Sequence, residues 1–262
     1  MQDLKVTIIQ SDLKWQDKAV NLANFERDII ALKEHTDIVV LPEMFSTGFS
    51  MNPEQFAEPK NGETVTWMLR LAKEKNTAIC GSLMINESEE NTTSSYVNQF
   101  VWVEPNGTIK RYNKHHLFNL IEENKHYQQG NEHLLIDYKG WKIQPFVCYD
   151  LRFPAWCRNQ FEADIQLFVA NWPAKRSEHW KTLLKARAIE NQCFVVAVNR
   201  IGNDNNKVYH SGDSGIYNFA GEAIISIADE SKVYTTTLSL ETLKNYRKRY
   251  PFLADRDKIR FE

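Results

Sequence analysis

Two strand-length apolar segments constrain the fold of this chain more than any other feature. Asp37–Leu41 contains no polar residue after its aspartate, and Asp164–Val169 repeats this pattern with one glutamine inside it. A strand with one face in water alternates apolar and polar residues, whereas a strand covered on both faces is apolar almost throughout. Both segments therefore predict strands in a sheet that has another layer on each side.

Helical and strand patterns alternate along the rest of the chain. Apolar residues recur at helical spacing in Lys18–His35 and again in Gly62–Asn76. Two turn sequences, Pro105–Gly107 and Lys139-Gly140, lie between short strand patterns and predict β-hairpins. The pattern predicts further strands at residues 4–10, 77–85, 95–103, 108–112, 134–137, 141–148, 214–219, 223–227 and 232–240.

The second half of the chain resembles the first. Asp164–Val169 repeats the pattern of Asp37–Leu41, and the join between helix and strand in Ala188–Val198 resembles the join in Ala72–Leu83. This similarity indicates two halves of related structure. No Gly/Ser-rich linker separates them, so we expect a single domain over residues 1–262.

Composition argues against several classes of function. Lys and Arg (32) nearly balance Asp and Glu (34), which leaves no charge excess to hold nucleic acid or an anionic membrane surface. The chain has no apolar run long enough to span a bilayer, no signal-peptide pattern, and no Cys-x-x-Cys pair or metal-ligand spacing. We expect a cytoplasmic protein with free thiols, no bound metal, and no nucleic-acid or membrane partner.

Three chemically reactive side chains lie at the ends of predicted strands or after them: Glu43, Lys114 and Cys148. A thiol with a pKa of about 8.5 is mostly protonated near neutral pH and needs a base or a cation beside it. Glu43 can take the proton, Lys114 can stabilise negative charge, and the backbone N–H of Tyr149 can complete an oxyanion hole. Taken singly, each side chain also fits a structural role as a core thiol, a loop carboxylate or a surface lysine.

Taken together, the three segments that carry these residues resemble the signature segments of the nitrilase superfamily of carbon–nitrogen hydrolases. The segments are Leu41–Phe45, Tyr112–Phe118 and Val147–Pro154, and the resemblance extends over nearly the whole chain. Asn171–Trp180 is most similar to the ω-amidase branch. The resemblance implies an α/β fold, a four-layer αββα sandwich with two pseudo-equivalent halves. It also implies a homodimer or larger homo-oligomer and no cofactor.

The resemblance further implies which residues act. It places a catalytic triad on Glu43, Lys114 and Cys148 and a second carboxylate on Glu123, with the adjacent Glu122 as an alternative. The second carboxylate is expected to position the lysine or the substrate amide.

The ω-amidase branch implies short amides with a carboxylate at the far end, such as 2-oxoglutaramate or 2-oxosuccinamate. Such an enzyme releases ammonia through a cysteine thioester. The substrate carboxylate needs a cation, for which Arg152, Lys175 and Arg176 are candidates and surface salt bridges are their alternative role. Trp172 and Phe45 are candidate walls of the pocket, with core packing as the alternative.

Two kinds of alternative function remain at this stage. The first keeps the triad and changes the chemistry to that of a nitrilase, an N-carbamoyl amidohydrolase or an acyl transfer to an amine. The second is a non-catalytic dimeric binding protein with the same fold, which an intact set of Glu43, Lys114 and Cys148 argues against.

Overall fold

The computed structural model describes residues 2–88 and 95–260 of the 262-residue chain. The longer helices and short helical turns are α1 (Lys18–Ile30), α2 (Pro53–Phe56), α3 (Glu63–Lys75), α4 (Pro154–Cys157), α5 (Ser177–Asn191) and α6 (Leu240–Arg249). The strands are β1 (Leu4–Gln10), β2 (Ile38–Val40), β3 (Glu58–Pro59), β4 (Ala78–Asn86), β5 (Tyr96–Val103), β6 (Ile109–Asn113), β7 (Ile136–Tyr138), β8 (Trp141–Val147), β9 (Ile165–Ala170), β10 (Phe194–Asn199), β11 (Ile201–Asn203), β12 (Tyr209–Tyr217), β13 (Ala223–Ala228) and β14 (Lys232–Leu238).

The strands form two mixed sheets. The first has the order β14-β1-β2-β4-β5-β6, with β3 beside β4, and the second has the order β11-β12-β10-β9-β8-β7, with β13 beside β12. The centre of each sheet is parallel: β1, β2 and β4 in the first, and β8, β9 and β10 in the second. Antiparallel strands flank both centres.

Apolar side chains join the layers. Helices α1 and α3 cover the first sheet, where Phe25 and Leu71 pack with Val39 and other buried residues of β2, β4 and β5. Alternate residues of the same strands pack with residues of the second sheet in a separate core, to which α5 contributes Trp180 and other apolar residues. The predicted αββα sandwich is confirmed.

The two halves start their second parallel strand in the same way. The Lys5 N–H donates to Asp37 Oδ2 (2.8 Å), and the Lys142 N–H donates to Asp164 Oδ2 (3.0 Å). In each half the aspartate N–H also donates back to the lysine carbonyl. These shared contacts give a physical basis to the predicted pair of equivalent halves.

Local predictions hold with some corrections to their bounds. Both predicted hairpins form, and Lys139 and Gly140 both adopt positive φ, the conformation that a tight two-residue turn requires. The first helix ends at Ile30 instead of His35. The following residues leave the helix because they have to reach the start of β2, where Thr36 and Asp37 bond to β1.

The parallel strands β2, β8, β9 and β10 end close to one another, and polar residues follow them. Glu43 comes after β2, Cys148 directly after β8, Asn171 directly after β9, and Asn199 ends β10. The carboxyl ends of parallel strands are where α/β folds place their sites. Among the described residues, none of the helices has both the length and the apolar character needed to cross a membrane.

Candidate active site

Cys148 lies at a strained point of the backbone. It directly follows β8, begins a short 3-10 helix (Cys148–Arg152) and has a φ of +46°. A non-glycine residue with positive φ is held there only when its surroundings stabilise that conformation. Only 8% of the residue is exposed, and it contributes to the wall of a large cavity.

The carboxylate of Asp150 stabilises this turn. Its Oδ2 accepts from the Val147 N–H (3.0 Å) and from the Tyr112 hydroxyl (2.7 Å). Its Oδ1 accepts from the backbone N–H of His116 (2.8 Å) and contacts the Nδ1 of the same residue (3.0 Å). This fully buried carboxylate therefore joins the turn of the cysteine to the loop of the lysine, a role that the sequence did not indicate.

Lys114 is a buried cation between two carboxylates. Its Nζ is 3.0 Å from Glu43 Oε1 and 3.0 and 2.9 Å from the two carboxylate oxygens of Glu123. Burial by itself lowers the pKa of Lys114, but the two negative charges outweigh burial and raise it. The ammonium group therefore stays charged without contact with water.

Of the two adjacent glutamates, Glu123 is the one that contacts Lys114. Glu123 is fully buried and accepts from the Phe118 N–H (2.6 Å) in addition to its contacts with Lys114. Burial raises the pKa of Glu123, and the charge of Lys114 opposes that effect. Glu122 instead adopts a left-handed conformation that turns it outward, where it pairs with Lys125 at 2.5 Å.

Two asparagines orient Glu43. Its Oε1 accepts from Asn98 Nδ2 (2.8 Å), and its Oε2 accepts from the Asn171 N–H (2.8 Å). The Asn171 side chain also donates to the backbone carbonyl of Glu43. No sequence pattern marks either asparagine as a partner of Glu43, because each lies far along the chain from the glutamate that it contacts.

The charges of Glu43 and Lys114 both act on the Cys148 thiol, so the three predicted reactive side chains lie near one another. Burial and the negative charge of Glu43 raise the pKa of Cys148 well above its usual range, and Lys114 opposes this shift. The resting sulfur is therefore a thiol beside a proton acceptor. Its proton can move to Glu43 as the sulfur attacks a carbonyl.

The cavity above Cys148 has a volume of about 1050 Å³. Three of the predicted substrate-binding residues line this cavity: Tyr149, Trp172 and Arg152. The two other candidate cations, Lys175 and Arg176, line it as well. No group of three or more His, Cys, Asp or Glu residues that suits a metal ion occurs in residues 2–88 and 95–260.

Phe45 has a different position from the one considered for a pocket wall. It is fully buried on the helix side of the first sheet, with its ring centroid 5.7 Å from that of Phe25 and 6.1 Å from that of Trp67. Phe45 is therefore a core residue. The neighbouring loop supplies Phe49 to the cavity wall instead, and the Phe49 ring lies 4.9 Å below the Lys114 ammonium.

Comparison with known proteins agrees with this geometry. Residues 5–248 match the family described as Carbon-nitrogen hydrolase. The chain belongs to this family. It is therefore a hydrolase that acts on carbon–nitrogen bonds, as the sequence predicted.

Several relatives of this carbon–nitrogen hydrolase carry more specific names. It is 44% identical to the "Omega-amidase YafV" of Yersinia enterocolitica, with 99% of both chains covered. It is 30% identical to the "2-oxoglutaramate amidase" of Bacillus subtilis, with 95% of this chain and 96% of that one covered. The crystal structure of XC1258 from Xanthomonas campestris, a CN-hydrolase superfamily protein, is 40% identical, covers 100% of both chains and superposes with a TM-score of 0.95.

The two adjacent glutamates offer a matched pair of variants. We expect Glu123→Gln to lower kcat by about 10²-fold or more, because a buried lysine loses one of its two charged partners and its position. Glu122→Gln is expected to keep kcat within about twofold, since exposed ion pairs contribute little. Steady-state ammonia release by both variants measures kcat, and a thermal melt checks that both are folded. Equal activity of the two variants would contradict the role given to Glu123.

Proposed function

We propose that this carbon–nitrogen hydrolase is an ω-amidase, which releases ammonia from the terminal amide of a small 2-oxo dicarboxylic acid monoamide. The observation that carries the proposal is that Lys114 pairs with Glu43, that both charges act on Cys148, and that Cys148 lines a cavity together with two arginines. The names of the relatives at 44% and 30% identity support the same substrate class.

The first half-reaction forms a thioester. The Cys148 sulfur attacks the amide carbon as its proton passes to Glu43, and a tetrahedral intermediate with a negative oxygen results. Protonated Glu43 then gives the proton to the nitrogen, the carbon–nitrogen bond breaks, and ammonia leaves. The asparagine contacts to Glu43 hold the carboxylate in place for both proton transfers.

The negative oxygen requires positive groups that are already in place. Lys114 supplies a buried ammonium whose position is fixed by two carboxylates. The backbone N–H of Tyr149 follows the nucleophile at the start of the 3-10 helix and supplies a second donor. In other hydrolases, each donor of this type stabilises the transition state by about 3 kcal/mol.

The second half-reaction hydrolyses the thioester, and Glu43 again accepts a proton and then donates it. A water molecule takes the place of ammonia, Glu43 accepts its proton, and the hydroxide attacks the thioester carbon. The carbon–sulfur bond breaks, the thiolate regains the proton from Glu43, and the acid is released. We propose that Glu123 acts throughout as a positioning residue for Lys114.

The substrate carboxylate has a suitable partner in the cavity wall. The guanidinium carbon of Arg152 lies 4.7 Å from the Trp172 ring, and Arg152 also contacts His179. A guanidinium binds a carboxylate through two parallel hydrogen bonds. We propose that Arg152 binds the carboxylate end while Trp172 supports the guanidinium and closes one side of the cavity.

We further propose that residues 1–262 act as a single carbon–nitrogen hydrolase domain in a homodimer or larger homo-oligomer, as the family resemblance implies. A reduced Cys148 is required for the reaction, which favours a cytoplasmic location.

A panel of amides tests the proposed reaction. We expect rapid ammonia release from 2-oxoglutaramate and 2-oxosuccinamate and slower release from glutamine and asparagine, whose ammonium group brings an extra positive charge to the arginines. A nitrile and an N-carbamoyl amino acid distinguish the alternative enzymes. Faster turnover of either one than of every ω-amide would overturn the proposal.

A further inference from the structure

Two guanidinium groups lie in the cavity wall without a carboxylate partner. Arg152 and Arg176 both line the cavity that contains Cys148, and both side chains are partly buried. Within the described part of the chain, no Asp or Glu forms an ion pair with either arginine. Two partly buried positive charges at one cavity wall, without an acidic partner there, suit a negatively charged ligand.

Aromatic rings hold each guanidinium in place. The guanidinium carbon of Arg152 lies 4.7 Å from the Trp172 ring centroid, and that of Arg176 lies 5.3 Å from the Phe118 ring centroid. The Trp172 indole N–H also donates to the backbone carbonyl of Arg176 (2.8 Å). Trp172 therefore contacts the Arg152 guanidinium and the Arg176 backbone, which brings the two arginine segments together at one wall of the cavity.

The same aromatic residues connect the arginines to the catalytic carboxylates. The backbone N–H of Phe118 donates to Glu123, which holds the catalytic lysine. Trp172 directly follows Asn171, whose N–H donates to Glu43. The aromatic residues that contact the two guanidinium groups are thus anchored through buried hydrogen bonds to the same carboxylates that surround Lys114.

The two guanidinium groups are close enough to repel. Burial lowers the pKa of Arg152, and the positive charge of Arg176 lowers it further. An anion placed between them converts this repulsion into two attractive contacts. The site therefore favours a ligand with a carboxylate over a neutral one.

We infer that Arg176 and Arg152 form a two-guanidinium clamp for the substrate carboxylate, and that Arg176 determines the preference for carboxylated over neutral amides. This inference rests on the proposed ω-amidase function. Lys175 also lines the cavity, but its side chain is exposed and no aromatic ring in the described residues holds its ammonium group. Lys175→Met is therefore the matched control, because it removes a neighbouring positive charge that is not one of the two guanidinium groups.

The test compares 2-oxoglutaramate with pentanamide, a neutral amide with the same number of carbon atoms. Arg176→Met keeps an apolar stem against Phe118 and removes the charge. We expect the ratio of kcat/KM for the two amides to fall about 10- to 100-fold, mostly through KM of the carboxylated substrate. Arg176→Lys is expected to retain part of the ratio, and Lys175→Met to retain it within about twofold.

Direct binding gives a second readout. Titration of 2-oxoglutaramate into Cys148→Ala and into the Cys148→Ala/Arg176→Met double variant is expected to show weaker binding in the latter by the same factor. An unchanged ratio in Arg176→Met, or equal losses on both amides, would overturn the inference while leaving the ω-amidase proposal intact. A wild-type enzyme that does not prefer 2-oxoglutaramate over pentanamide would instead contradict the proposed function itself.

Discussion

Replacement of Cys148 by alanine is expected to reduce ammonia release by about 10³-fold or more, because the covalent route through a thioester disappears. Cys148 lines the cavity, and the charge of Glu43, which the proposed mechanism uses as a base, acts on its sulfur. The loss is expected in kcat, with the fold intact, since alanine removes only the sulfur and introduces no new contact at this position. Ammonia assays and far-UV circular dichroism on the same preparation make the measurement.

Cys80→Ala is the control for loss of a buried thiol. Cys80 is fully buried in β4, where its sulfur contacts the Val39 carbonyl, and it has no place in the proposed reaction. Turnover by Cys80→Ala is expected to stay close to that of the wild type. Normal turnover by Cys148→Ala would rule out the proposed nucleophile.

The Glu43→Gln variant is expected to lose about 10²–10⁴-fold in kcat, because the amide can neither accept the thiol proton nor protonate the leaving nitrogen. The same substitution is also expected to change the pKa of the Cys148 thiol, and this second effect makes the sulfur easier to ionise. Besides burial, the negative charge of Glu43 raises the pKa of Cys148, while Lys114 lowers it. Removal of the negative charge should therefore lower the pKa of the thiol and leave more thiolate at a given pH.

Alkylation by iodoacetamide measures this second effect. The pH midpoint of Cys148 alkylation in Glu43→Gln should lie below the wild-type midpoint, although turnover is lost. Glu54→Gln, a change at an exposed position in α2, should alter neither quantity. An alkylation midpoint that rises or does not change would show that Glu43 does not raise the pKa of Cys148. An unimpaired kcat in Glu43→Gln would exclude Glu43 as the base.

The order of the elements and the three reactive residues could be predicted because their signals are local. Apolar runs mark the buried strands, paired turn residues mark the hairpins, and the three signature segments each fall within a few consecutive residues. Glu123 could not be distinguished from Glu122 in this way. The distinction depends on the left-handed conformation of Glu122, which places only the next side chain inside.

Two of the residues that the sequence did not reveal act across the two halves of the sandwich. Asn171 in the second half holds Glu43 in the first, and Asp150 holds the loop of Lys114. No short pattern joins such partners, because they meet only when the sheets pack. The position of Phe45 is of the same kind, since one aromatic residue can face either a cavity or a helix layer until the neighbouring strands are in place.

Rapid acid quench of the wild-type enzyme with 2-oxoglutaramate, followed by peptide mass analysis, tests the central claim most directly. The account predicts that the acyl part of the substrate appears on the peptide that contains Cys148, forms with the release of ammonia and disappears as the acid accumulates. Turnover without any acylated intermediate, or an acyl group on a different residue, would contradict the account.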